Sequence, residues 1–590
     1  MNDICKNITP SLAELHQLSK HLLVPFFTKK LTRARVVWMN HSWMRMQGLD
    51  LSNLSVKEEV KDWILSEYAV SSNGIDLGGN ENVVGTVFYA DRYGASEGSL
   101  HGGSGRCGTS GMFNAKGIGR TPLVSAGVDW SHSHGLLTLC DAIREVIASE
   151  ILSREMPHGA MPVVAIIDTG FDLPMGESES PVRCAILVRP NFLRVAHFER
   201  SVFFGTRGFE GSDQYSDENR VREMYSNIER AYCKEAISAE CALAETFSRI
   251  VSQVGHSQAH RIWNGRPGSD SFAIDGSLLD FGNFRALPDW RSADDGNGQI
   301  FGRDLFELIK ISDSLGHYLS KHRGGGAIRP LQSPQVINEN LKAAFIRGCL
   351  VGIGLPSFSQ GAIAMAGALY DVFRAQQRIR HRLDLTLESP SDATVQSSFR
   401  HYIDLVSAPF IDAVVEDLAD VARKDSWRHS RATNFRNVLN AQLGRWLEPR
   451  EDLFFMKCKF AIQAATKEAM TSDNAEDILS DFIARKVTSG RRIWPDLAND
   501  KILIGYSVTR DSELQCSFDL KEGCFITTLT ANSSTQEMEF FGANQDDRLE
   551  DGSFQIRTVL CPIGGANLAR GASPKIFFEA AEAVGKLNAQ

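Results

Sequence analysis

Residues 270–282 read Asp270-Ser271-Phe272-Ala273-Ile274-Asp275-Gly276-Ser277-Leu278-Leu279-Asp280-Phe281-Gly282. Two short apolar runs, 271–274 and 277–280, flank Asp275-Gly276. Glycine accepts positive φ without steric cost, so an Asp-Gly pair between such runs predicts a tight hairpin. A hairpin brings its open ends about 5 Å apart between backbones. Asp270 and Asp280 are therefore expected to meet at one edge. Two carboxylates that meet need a cation, a shared proton or solvent. Magnesium held between such oxygens and phosphate oxygens is one solution. Two solvated surface aspartates also fit the pattern.

Upstream segments carry groups that suit a phosphate. Gly102-Gly103-Ser104-Gly105-Arg106 precedes Asn114-Ala115-Lys116-Gly117-Ile118-Gly119-Arg120. Glycines at positions such as Gly103 and Gly105 let backbone N–H groups approach phosphate oxygens. Leu136, Leu139, Ile143, Val146, Ile147 and Ile151 recur at steps of three and four, which predicts a helix carrying Glu145. Cys184-Ala185-Ile186-Leu187-Val188 predicts a strand that ends in Arg189, with Arg194 five residues on. Arginine grips phosphate bidentately. With Lys116 and Arg120, these arginines would form a positive pocket. The residues alone also fit surface cations paired with acids such as Glu199.

Glycine loop, strand lysine, helix glutamate and Asp280-Phe281-Gly282 follow the order of protein kinases. No His-Arg-Asp loop is present, which disfavours transfer of a γ-phosphoryl group. These segments resemble the SelO family of pseudokinases, which are protein adenylyltransferases. Lys116 to Pro122 is similar to that family's Lys-Gly-Ser-Gly-Arg-Thr-Pro. Ile143 to Glu150 is similar to Ile-Arg-Glu-Phe-Leu-x-Ser-Glu, and Asp280-Phe281-Gly282 to Asp-Tyr-Gly. Tyr89 to Gly94 resembles Tyr-Ala-Gly-His-Gln-Phe-Gly. Ala185 to Arg189 and Phe192 to Glu199 resemble the family's paired phosphate-binding arginines. The resemblance covers about residues 80–325. The general outline also looks like the MchC-type proteins of microcin maturation.

The resemblance implies an α+β, bilobal protein-kinase-like fold and use of ATP with Mg2+. AMP would move to a hydroxyl side chain of a protein or peptide. Lys116 and Glu145 would form the ion pair of the site, and Arg189 and Arg194 would hold the terminal phosphate. Gly103, Gly105, Arg106 and Arg120 would complete the nucleotide contacts. Asp280 would ligate magnesium, and Asp270 would be the candidate base. The family's metal-ligating Asn before the hairpin is replaced here by Ser271. Asn264, displaced upstream by Gly265–Gly268, is its candidate substitute.

The rest of the chain sets bounds. Of 590 residues, 43% are hydrophobic and 23% charged, the balance of a globular protein. A net charge of -9 argues against a general nucleic-acid binder. Eleven cysteines without a Cys-x-x-Cys pair argue for buried thiols rather than zinc or disulfides. The amino terminus shows no signal peptide and no apolar run suits a membrane span, so a cytoplasmic protein is expected. His256 and His260, four residues apart, lack the glutamate of a zinc hydrolase. Four regions are expected: a helical extension over 1–80, a kinase-like N-lobe over 81–205, a mainly helical C-lobe with the metal-site hairpin over 206–490, and a small α+β appendage over 491–590. The appendage should hold strands near 502–508, 514–520, 524–531, 537–542 and 554–560, then a helix at 574–588. The sequence leaves the oligomeric state open.

Overall fold

The computed structural model describes residues 10–72, 85–94, 101–128, 133–173, 181–202, 204, 212–231, 238–294, 300–324, 329–353, 360–378, 383–384 and 446–492, with six strands between 501 and 570. The helix expected at 574–588, and residues 398–445 of the C-lobe expected over 206–490, lie outside the described residues. The chain divides into two compact units. One comprises residues 1–345, 376–389 and 451–487; the other comprises 346–375, 390–450 and 488–590.

The first unit begins with α1 (Leu12–Leu18), β1 (Leu23–Lys30), β2 (Arg35–Met39), α2 (His41–Met46), α3 (Leu54–Tyr68) and β3 (Val70–Ser72). Then come β4 (Thr86–Asp91), β5 (Cys107–Ser110), β6 (Phe113–Lys116), β7 (Leu137–Thr138), α4 (Leu139–Glu155), β8 (Ala165–Leu173) and β9 (Val182–Pro190). These strands form one antiparallel sheet in the order β2-β8-β9-β6-β5-β4-β1-β3, with β7 also paired to β9. The expectation of a helical extension over 1–80 is corrected here, because β1, β2 and β3 belong to this sheet. Pro25 weakens the strand signal of β1, yet the run pairs with β4 from Leu23↔Asp91 to Thr28↔Thr86.

Both faces of the sheet are covered. Ile166, Ala185 and Leu187 pack with Ile143, Val146, Ile147 and Ile151 of α4. Ala165, Ile167, Ile186 and Val188 face the other way and pack with Val60 and Ile64 of α3. Side chains alternate along a strand. Burial on both faces is why β9 reads as an unbroken apolar run rather than an alternating one.

Helices follow: α5 (Ser212–Ser226), α6 (Ile228–Ala231) and α7 (Ala239–Ala259). The short strands β10 (Ile262–Trp263) and β11 (Arg285–Ala286) pair and bracket the Asp270–Gly282 stretch. Next are β12 (Ala293–Asp294), α8 (Asp304–Arg323), α9 (Pro334–Ile353), α10 (Gln360–Gln376), β13 (Leu383–Asp384), α11 (Phe455–Met470) and α12 (Ala475–Gly490). The predicted hairpin is real but compressed. Phe272 bridges Leu278, and the Leu279 N–H donates to the Ser271 carbonyl at 2.9 Å. Gly276 sits at φ +86°, as an Asp-Gly turn requires. A 3-10 turn, Ser269–Ser271, replaces the start of the first strand.

The second unit carries a four-stranded antiparallel meander, β14 (Lys501–Val508), β15 (Ser512–Asp519), β16 (Cys524–Ala531) and β17 (Ser534–Phe541), and the pair β18 (Arg557–Cys561) and β19 (Ala566–Arg570). Each of the five strands expected there overlaps an observed one. Among the described residues, no helix is long and apolar enough to cross a membrane.

Candidate functional site

The register of three strands aims the cations. Lys116 lies opposite Leu187 and Asn114 opposite Arg189 across β6 and β9. Cys107 of β5 lies opposite Lys116. Pleating puts Lys116, Asn114 and Arg189 on the face that carries Leu187, which is the face α4 covers. Glu145 of α4 is buried there. Lys116 Nζ donates to Glu145 Oε1 at 2.5 Å and to Asp280 Oδ1 at 2.6 Å. One ammonium thus joins the sheet, the helix and the hairpin end. The second oxygen of Glu145, Oε2, is buried without a hydrogen-bond partner among the described residues.

Asp280 is the carboxylate that solvent reaches, with 47% of its side chain exposed against 1% for Glu145. Partial burial would raise its pKa. The Lys116 ammonium, with Arg106 and Arg194, overrides that and holds it well below the usual carboxylate range. Asp270 moves the other way: burial and the neighbouring Asp280 charge raise it, against the pull of Arg194. Two carboxylates ten residues apart are thus pushed apart in acidity, which suits one as ligand and the other as proton acceptor.

The arginines make a different kind of contact. The 272–273 segment of the hairpin bridges to the Arg194 segment: Val195 N–H donates to Phe272 O at 3.0 Å, and Ile274 N–H to Leu193 O at 3.0 Å. Arg194 Nη1 therefore reaches the Asp270 carbonyl at 2.5 Å. Its guanidinium lies 4.8 Å from the Tyr93 ring and 4.9 Å from the Phe192 ring. Arg189 lies 4.8 Å from Phe192. It donates to Asn114 Oδ1 at 3.4 Å and to Cys107 Sγ at 3.8 Å. Both arginines are buried, at 2% and 4% exposure, and neither makes an ion pair with a carboxylate among the described residues. Two stacked guanidiniums with neutral partners form a concentration of positive charge suited to an anion.

The glycine loop lies beside them. Gly103 has φ +145°, and a Cβ there would sit 2.2 Å from Asp91 O, so backbone packs directly on backbone. The Gly105 carbonyl accepts from Thr121 N–H at 3.1 Å, and the Arg106 carbonyl from Gly117 N–H at 2.8 Å. Arg106 is half-buried; burial works against its charge, but Asp280 and Glu145 more than offset this. Arg120 is exposed, outside the buried group of cations.

The residues present fit a hard divalent cation. Asn264 Nδ2 donates to the Asp280 carbonyl at 2.7 Å, while its Oδ1 is buried with no partner among the described residues. Asn264 and Ser271 line one cavity of about 40 Å³ together with Gln258 and Asp304. The donors Asp280, Asp270, Asn264 and Ser271 are all oxygens, as magnesium prefers. Among the described residues, no three His, Cys, Asp or Glu side chains gather into a metal cage. Magnesium that keeps waters and phosphate oxygens needs none.

Several contributors escaped the sequence reading. Arg144, next to Glu145, donates to the Gly282 carbonyl at 3.4 Å and stacks 4.1 Å from Phe455 at the start of α11. Arg285 stacks on the same ring at 4.4 Å. Phe455 thus clamps α4 to the loop after Asp280. Phe192, Tyr93, Asn114 and Cys107 surround the arginines. The spacing Arg189–Phe192–Arg194 was the available signal, since one aromatic ring between two arginines can stack with both.

The fold thus gathers an acid-tethered lysine, two ring-stacked arginines and the Asp280 carboxylate in one region. Residues 85–294 match the family model described as Protein adenylyltransferase SelO, and every site residue above except Phe455 and Asp304 falls inside that segment or borders a residue that does. Protein nucleotidyltransferase YdiU of Trichodesmium erythraeum is 30% identical over 191 residues, 30% of this chain and 36% of that protein. Its namesake in Trichormus variabilis is 27% identical over 180 residues, covering 30% and 34%. That of Burkholderia mallei is 26% identical over 369 residues, covering 58% and 62%. The chain thus spans about a third of the first two relatives, and less than two thirds of the third. Over residues 85–294 the chain is similar to the SelO family.

Proposed function

We propose that this chain is a nucleotidyltransferase that moves AMP from ATP to a hydroxyl side chain of a protein or peptide, in a bilobal kinase-like arrangement. One observation carries the reading: buried Lys116, Arg189 and Arg194 gather next to Asp270 and Asp280, and the two arginines stack on rings instead of pairing with acids. A triphosphate supplies the missing negative charge. The names of the relatives support the same chemistry.

In this reading the arginines and the backbone of the Gly103–Arg106 loop bind the phosphates. Lys116, steadied by Glu145, holds the chain of phosphates in place. Asp270, with its raised pKa, accepts the acceptor's hydroxyl proton as oxygen attacks the α-phosphorus. A new P–O bond forms, the bond from the α-phosphorus to the bridging oxygen breaks, and pyrophosphate leaves. Magnesium, held by Asp280 with Asn264 or Ser271, would supply charge neutralisation on the phosphates.

Incubation with α-labelled and γ-labelled ATP, using the full chain and Asp280→Ala, tests the proposal. Transfer of the α label alone, lost in the variant, supports it. Transfer of the γ label, or α labelling that survives Asp280→Ala, overturns it. Binding of ATP without any transfer would make the site a nucleotide-stabilised module instead.

A further inference from the structure

A buried Asp–His pair connects the two elements that would grip the phosphates. Asp91 ends β4 and is 7% exposed. Its Oδ1 accepts from the Ser104 hydroxyl in the glycine loop, and its carbonyl accepts from Ser104 N–H at 2.9 Å. Its Oδ2 lies 3.0 Å from His197 Nε2. His197 is 1% exposed, and its Nδ1 accepts from the Arg194 backbone N–H at 2.8 Å. That bond fixes the tautomer, since an acceptor Nδ1 leaves the ring proton on Nε2, pointed at Asp91. The Tyr93 ring, on which the Arg194 guanidinium stacks, meets the His197 ring edge-on at 5.7 Å.

We propose that Asp91 and His197 are positioning residues for the polyphosphate of the nucleotide, holding the Ser104 loop and Arg194 in one fixed register. The inference rests on the phosphate-site reading above. His197 sets the backbone from which the Arg194 side chain springs. Asp91 orients His197 and ties it to the glycine loop. Asp91 also places a negative charge close enough to Arg194 to act on it without forming an ion pair. Arg194 thus keeps donors for a ligand while its charge is partly balanced. Neither residue needs to touch the nucleotide.

A positioning role predicts selectivity by phosphate count, which a general loss of folding does not. Calorimetric titration of the full-length protein with ATP, ADP and AMP, for wild type, His197→Ala, Arg194→Ala and the double variant, reads it directly. His197→Ala should weaken ATP by about tenfold, the equivalent of about 1.4 kcal/mol, and AMP by less than about twofold. In the Arg194→Ala background the same substitution should cost ATP nothing beyond about twofold. His197→Asn, whose amide oxygen can accept from the Arg194 N–H, keeps the protein testable if the alanine variant fails to fold, and should recover most of the ATP affinity. Equal losses for ATP and AMP, or an undiminished cost in the Arg194→Ala background, overturn the proposal. Wild type that binds no adenine nucleotide overturns the phosphate-site reading itself, a distinct outcome read before any variant is made.

Discussion

Lys116 and the Arg189–Arg194 pair are buried in one region but are neutralised in different ways. Lys116 has two carboxylates within 2.6 Å. The arginines have an aromatic ring between them, an amide, a thiol and a carbonyl. The lysine side is electrostatically closed and is part of what holds the fold together. The arginine side has no carboxylate partner among the described residues, and on the proposed reading the nucleotide's phosphates would complete it. A buried ion pair broken on one side leaves an uncompensated charge, whereas removing a buried cation that has no ion partner removes a cost. Residues of the same charge in the same region should therefore respond to mutation with opposite effects on stability.

The comparison can be broken most sharply at Asp280. Asp280→Ala should lower transfer of α label by about a thousandfold or more, the loss expected when the proposed ligand of a charge-neutralising magnesium is removed, while ATP binding persists. Next comes Lys116→Met. It strands Glu145 in the interior and should destabilise the protein by about 3 kcal/mol in urea unfolding. Adding Glu145→Gln should restore part of that loss. Arg189→Met should weaken ATP by about tenfold to a hundredfold, the range for charge-assisted hydrogen bonds, yet leave the melting temperature of the nucleotide-free protein unchanged or higher. A fall in that temperature as large as for Lys116→Met would erase the contrast between the two sides.

The smallest effect concerns Glu199, which follows the Arg194 turn. Burial pushes its carboxyl from 4.5 up to about 7, against hydrogen bonds from Ser269 and Ser314. A raised folded-state pKa means that the folded protein holds the proton more tightly than the unfolded chain. Its contribution to stability is therefore full below pH 4.5 and is lost as pH rises through about 7. Melting curves from pH 5 to 8 should show a decline that Glu199→Gln lacks. Identical slopes for the two proteins would remove this assignment.

Much of this was legible in the sequence because the groups lie on regular elements. The 3.6-residue period of α4 placed Glu145, and the apolar run of β9 delivered Arg189. The Asp-Gly turn located Asp270 and Asp280 on one hairpin. The strand-rich tail was legible from short apolar runs. What stayed hidden depends on contacts without local period. Pro25 masked β1, whose partner is distant in sequence. His197 and Asp91 look like ordinary polar residues until the fold buries them side by side. Asn264 stands out only through a family likeness, and its bond to the Asp280 carbonyl depends on the fold. Arg120 shows the reverse: a cation adjacent to the lysine motif, yet exposed.

Phe455, stacked between Arg144 and Arg285, has a consequence in time as well as in space. A ribosome releases the lysine, the glutamate, both arginines and Asp280 long before it reaches this ring. Until α11 emerges and docks, nothing from that helix fastens the Asp280 loop to α4, and the candidate site of a nascent chain lacks its last clamp. The contact that fastens the Asp280 loop to α4 through Phe455 therefore cannot form until the last of these segments has been made.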